Sequence, residues 1–238
     1  MDDNDNLLQT HTPTAARPLL GMTILMVEAS LYACDAVRLM CLHSGARIRR
    51  ADCLRSARRH LQVYRPSAII IDLGLPDGSG LDLIRELSET SPRISVILGT
   101  SGDDNVEQAA TDAGADGFLA KPIANLGQFQ ETILSILPPE RQPNGPRKLR
   151  DEYIRPDRVA YRDDMRHVSN ILDDDTDGPV LDYVAQFLAG VARSAEDDQL
   201  AHAAQALAKC RARGGVSHGP VARIAGLVQD RLADRAAM

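Results

Sequence analysis

The chain has 238 residues, enough for two ordinary domains, and its 44% hydrophobic and 25% charged content excludes wholesale disorder. Aromatics make up 3% and Trp is absent, so the core has to be built from Leu, Ile, Val and Ala, as in a parallel sheet covered by helices or a helical bundle. A net charge of −6 argues against a chain devoted to gripping nucleic acid or an anionic membrane.

Cys34, Cys41, Cys53 and Cys210 show no metal-ligand spacing and read as reduced thiols. The acidic start Met1-Asp2-Asp3-Asn4-Asp5 is the opposite of a signal peptide, and no apolar run reaches the length of a membrane span. Both features lead to the expectation of a cytoplasmic protein without a membrane contact.

Residues 1–21 are polar, carry Thr-Pro and Arg-Pro steps, and read as a mobile tail. Short apolar runs then follow at Thr23–Val27, Ala68–Ile71, Ile94–Leu98 and Gly117–Ala120, with a weaker one near Ala46–Ile48. Runs this short and this rich in β-branched residues predict strands buried on both faces. Helical spacing fills the gaps: Leu31 to about Ser44, Asp52 to Tyr64 with Asp52 as N-cap, Ser79 to Leu87, Asn105 to Ala113, and Leu126 to Leu137. Strand and helix alternate five times, which predicts an α/β fold of parallel strands joined by right-handed crossovers over residues 22–138.

Open parallel sheets place their site at the carboxyl ends of the strands. The polar residues closing the apolar runs, Glu28, Asp72, Thr100 and Lys121, are therefore expected to meet in one crevice. Two acids, a hydroxyl and an ammonium suit phosphoryl transfer to a carboxylate, with an oxygen-bound divalent cation screening the charge.

Four stretches carry a resemblance: Val27-Glu28-Ala29-Ser30, Ile71 to Gly80, Gly99-Thr100-Ser101 and Phe118-Leu119-Ala120-Lys121-Pro122. In order and separation they resemble the signatures of response regulator receiver domains of two-component systems, which implies a flavodoxin-like five-stranded parallel sheet. The resemblance implies Asp72 as phosphoacceptor and Lys121 as its ion-pair and phosphoryl partner, followed by a cis peptide bond to Pro122. It further implies Thr100 and Phe118 as switch residues, and a magnesium ion held by Glu28, Asp72 and the backbone carbonyl of Gly74. A histidine kinase or phosphotransferase would supply the phosphoryl group, and the chain would signal rather than act as an enzyme.

Receivers usually end the first strand in two adjacent acids, whereas here Glu28 is followed by Ala29. Loss of that acid weakens the magnesium site and raises an alternative, a degenerate receiver acting as a phosphorylation-independent scaffold.

Residues 139–150, with Pro138-Pro139 and Pro143-Asn144-Gly145-Pro146, read as a linker. Residues 151–238 read as a small all-α output or interaction domain, with a connecting helix broken near Pro156 and helices from Pro179, Asp198 and Pro220. Its apolar mass is thin for independent stability, so a partner or the receiver is expected to support it. Charges after Arg147 are nearly balanced, which argues against a DNA-reading helix and favours an unidentified downstream protein, with a homodimer left open. Asp173-Asp174-Asp175-Thr176-Asp177-Gly178 matches half of a calcium loop but has Val184 where a bidentate Glu is required, and reads as an acidic helix start.

Overall fold

A computed structural model describes residues 12–103, 105–145, 151–174, 177–215 and 218–234. Five parallel strands form the sheet: β1 (Thr23–Val27), β2 (Arg47–Ala51), β3 (Ala68–Asp72), β6 (Val96–Ser101) and β7 (Gly117–Ala120), in the order β2-β1-β3-β6-β7. The short antiparallel pair β4 (Gly74–Leu75) and β5 (Gly78–Ser79) turns the chain just beyond β3. This is the flavodoxin-like order, and its direction reverses between β1 and β3.

Side-chain alternation divides the core in two. Ile24, Met26, Ile70 and Leu98 face α1 (Leu31–Ser44) and α5 (Leu126–Ile136), where Val37, Met40, Phe129 and Ile133 are fully buried. Leu25, Ile69, Ile71 and Ile97 face the other way, onto α2 (Leu54–Val63), α3 (Gly80–Glu89) and α4 (Glu107–Asp112). A period of two in the strands thus feeds two separate apolar layers.

Three expectations for the first half of the chain change. The strand expected over 94–98 is β6 and runs on to Ser101, because Thr100 pairs in register with Asp72. The second helix begins at Leu54 rather than at a capping Asp52, since Asp77 accepts the free N–H groups of Leu54 and Arg55 at 2.8 and 2.9 Å. The described part of the expected N-terminal tail is packed: Leu19 is fully buried and its N–H donates to the Ser44 carbonyl at 2.9 Å. Residues 1–11 lie outside the described residues.

Beyond the receiver-like part come α6 (Arg158–Asp174), α7 (Gly178–Ser194), α8 (Asp198–Ala212) and α9 (His218–Ala233). α7 packs on α8, and α9 on both α6 and α8, around Met165, Val184, Leu188, Leu200, Leu207 and Val228. The expected connecting helix is instead the first member of this bundle, and it starts two residues after Pro156. Asp175 and Thr176 of the acidic run lie outside the described residues, and among the described residues no group of three or more His, Cys, Asp or Glu could hold a metal ion. No helix among the described residues is long and apolar enough to cross a membrane.

Candidate phosphoacceptor site

The register of the sheet brings the strand ends together. Asp72 closes β3 opposite Thr100, while Glu28 follows β1 and Lys121 follows β7, where Ser101 pairs with Ala120. Lys121 Nζ stands 2.5 Å from Glu28 Oε2 and 3.1 Å from Asp72 Oδ2, so one ammonium bridges both carboxylates. All three are deeply buried: Glu28 is 1% exposed, Lys121 6% and Asp72 7%. The other oxygens have backbone donors, since the Ser30 N–H donates to Glu28 Oε1 at 2.9 Å and the Gly74 N–H approaches Asp72 Oδ1 at 3.4 Å.

Thr100 is fully buried, and its hydroxyl donates to the Leu119 carbonyl at 2.6 Å instead of pointing to Asp72. Phe118 is half-buried and packs beside Gly99 and Ala110. The Lys121-Pro122 bond is cis.

Two carboxylates and one ammonium leave a negative charge uncompensated. Burial first, and Glu28 second, push the Asp72 carboxyl up to about 7 against the opposing pull of Lys121. For Lys121, burial works to lower the ammonium, but Asp72 and Glu28 outweigh it and hold the group above its ordinary value.

Sequence reasoning missed what lies over this crevice. Asp164 of α6, 2% exposed, accepts from Ser30 Oγ at 2.7 Å and from the backbone N–H groups of Leu31 and Tyr32 at 2.7 and 3.1 Å. It thereby caps the free amino end of α1 from another part of the chain. Helix α7 crosses the mouth: the Gln186 carboxamide lies where a Cβ on Gly74 would be, and Gly190 Cα would be 3.1 Å from a Cβ on Gly102. Glycine at 74 and 102 permits this close approach, whereas a Cβ on Gly190 would meet Lys121 Nζ at an ordinary 3.5 Å. Ala29 packs against the apolar cluster of the bundle. One signal was readable: Asp164 sits three residues from Tyr161 and four from Val168 on the apolar stripe of α6, where a lone acid needs a partner.

The receiver family model matches residues 24–133. Residues 24–133 are a response regulator receiver domain. The KDP operon transcriptional regulatory protein KdpE of Escherichia coli K12 is 36% identical over 89 residues, covering 37% of this chain and 39% of the relative. The transcriptional regulatory protein BasR of the same organism is 31% identical over 120 residues, covering 50% and 47%. The chain thus spans less than half the length of these curated relatives. Among solved structures, the chemotaxis response regulator CheY4 of Vibrio cholerae matches with a TM-score of 0.45 and 24% identity, over 49% of this chain and 98% of that one. The bundle lies outside the matched segment. The strand-end acids of this receiver domain lie beneath helices that the match does not include.

Proposed function

We propose that the chain is a response regulator whose receiver accepts a phosphoryl group on Asp72 and whose helical bundle closes over that aspartate when it is unmodified. The observation that carries this reading is the Lys121 bridge between Glu28 and Asp72 directly beneath α7. An ionised Asp72 oxygen attacks the phosphorus of a phosphohistidine or a small acyl phosphate; the P–N or P–O bond to the donor breaks and an acyl phosphate forms. Lys121 faces the new phosphoryl oxygens, and the Thr100 hydroxyl leaves the Leu119 carbonyl to reach them. A phosphoryl group is too bulky to share the mouth with the Gln186 carboxamide, so modification displaces α7. The freed bundle then meets a downstream protein.

The oxygen donors fit magnesium, which keeps several waters and needs one or two protein carboxylates. Glu28, Asp72 and the Gly74 carbonyl would hold it, and the ion would supply charge screening for the incoming phosphoryl group. The docked bundle also gives Ala29 a physical reason. A carboxylate there would be buried against the apolar cluster formed by Val184, Leu188 and their neighbours, so this chain has an apolar contact where other receivers have a metal-binding acid.

Acetyl phosphate with magnesium is the direct test, on the full chain beside an Asp72→Asn control. The expected result is one phosphoryl adduct by intact mass, absent in the control. No adduct on the wild type, nor on an Asp164→Ala variant that releases the bundle, refutes phosphoacceptance and leaves a scaffold receiver.

A further inference from the structure

Residues 47–65 carry seven arginines against a single aspartate, a formal +6 in a chain whose total is −6, so everything else sums to −12. The overall charge therefore conceals a strong segregation, and it is local charge that a polyanion feels.

This segment folds into edge strand β2 and helix α2, which enclose an open groove of about 950 Å³. Arg47 and Arg49 alternate along the free edge and so share one face of the sheet, roughly 7 Å apart. Arg59, His60, Ser56 and Tyr64 form the opposite wall, and no carboxylate lines the groove. The Tyr64 hydroxyl is buried there without a hydrogen-bond partner.

What distinguishes this segment is the number of arginines without an acid partner that it gathers in one place. Elsewhere some arginines are paired within the chain, as in Arg85–Asp82, Arg166–Asp163 and Arg211–Asp182, while others such as Arg17 and Arg223 stand exposed one at a time. In this segment Arg50 is held by the carbonyls of Glu28 and Ala29, and Arg58 by Glu86. Arg47, Arg49, Arg55, Arg59 and Arg65 are exposed and make no ion pair among the described residues. Guarding a sheet edge against self-pairing accounts for the two on β2 but not for the three on or beyond α2.

We infer that the β2–α2 groove binds the phosphodiester backbone of a nucleic acid, without reading its sequence. Unpaired guanidinium groups match phosphate oxygens in a bidentate fork. An acidic protein partner fits less well, because protein interfaces depend on large apolar anchors and the apolar lining here is limited to Ile48 and Val63. The groove lies on the far edge of the sheet from β7 and needs no movement of the bundle.

The experiment is fluorescence anisotropy of the full chain with a labelled mixed-sequence DNA duplex, and with a single strand of the same length, across a salt series. Binding at low salt is expected to weaken linearly in log–log form, with a slope of about −3 to −4 for duplex if four phosphates are neutralised. Arg47→Glu/Arg49→Glu/Arg59→Glu should weaken it at least tenfold with an unchanged melting temperature, whereas Arg85→Glu/Arg166→Glu should leave it intact. Tighter binding of the duplex or of the single strand identifies which backbone form the groove accepts. Absence of binding at low salt, indifference to the triple reversal, or equal binding of a labelled polyglutamate would overturn the inference, the last by assigning the groove to an acidic protein.

Discussion

The receiver and the bundle solve the same packing problem with different resources. The receiver buries apolar layers on both sides of its sheet, each anchored by strands that are inaccessible along most of their length. The bundle has one cluster, and it adds Ala29 of the receiver to that cluster and fastens itself through Asp164. Dependence therefore runs in both directions: the helices lean on the receiver for packing, and α7 in turn crosses the crevice that holds Asp72 and Lys121.

The sharpest way to break that relation is to hollow out the bundle. Leu188 is fully buried at its centre, and Leu188→Ala should cost about 3 kcal/mol there. We expect calorimetry to resolve an early bundle transition and an unchanged receiver transition; a single cooperative transition lowered as a whole would mean that the two parts fold as one unit.

Removing the latch comes next. Asp164→Ala deletes three hydrogen bonds to a buried carboxylate, with an expected loss of about 3 kcal/mol in docking, or roughly a hundredfold in the closed-to-open ratio. Cys34 is a buried thiol at the start of α1, beside the α6 contact, so its alkylation rate, followed by peptide mass spectrometry, should rise in this variant. An unchanged rate would show that α7 alone holds the bundle down.

Ala29→Asp acts on both partners at once. It restores an acid to the strand end and places a charge against the apolar cluster, so magnesium binding by calorimetry should tighten by about tenfold while docking weakens. Tighter metal binding with docking intact would separate the two effects and remove our account of the alanine.

The smallest expected effect is that of pH. Burial pushes the docked Asp164 carboxyl up to about 6, above its value in the free bundle near 3.9. A raised acid favours the docked state most when protonated, so docking is strongest below about pH 4 and weakens as pH rises through 6. Between pH 5 and pH 7 the change is about 1 kcal/mol. Small-angle scattering should report a larger radius at pH 7 than at pH 5; the reverse order would mean that ionised Asp164 is the better cap.

Much of the receiver was legible because its signals are local. Apolar runs of strand length ending in Glu28, Asp72 and Lys121 specify a parallel sheet and the edge where those residues meet. Boundaries slipped where a distant residue decided them, as when Asp77 capped α2 in place of Asp52. The roof was illegible for the same reason. Gln186 and Gly190 are ordinary helix residues until α7 is laid across Gly74 and Gly102, and no periodicity encodes that docking. The arginine groove was hidden by a whole-chain charge that averaged it away.

The order of the parts along the chain has a temporal consequence. A polypeptide emerges amino end first, and domains tend to fold as they emerge. The sheet carrying Asp72 is complete by Ala120, whereas Gln186 and Gly190 follow dozens of residues later. Each newly made molecule therefore passes through an interval in which Asp72 and Lys121 are assembled but not yet beneath α7, and on the proposed function that is the interval in which a phosphoryl donor has the freest access.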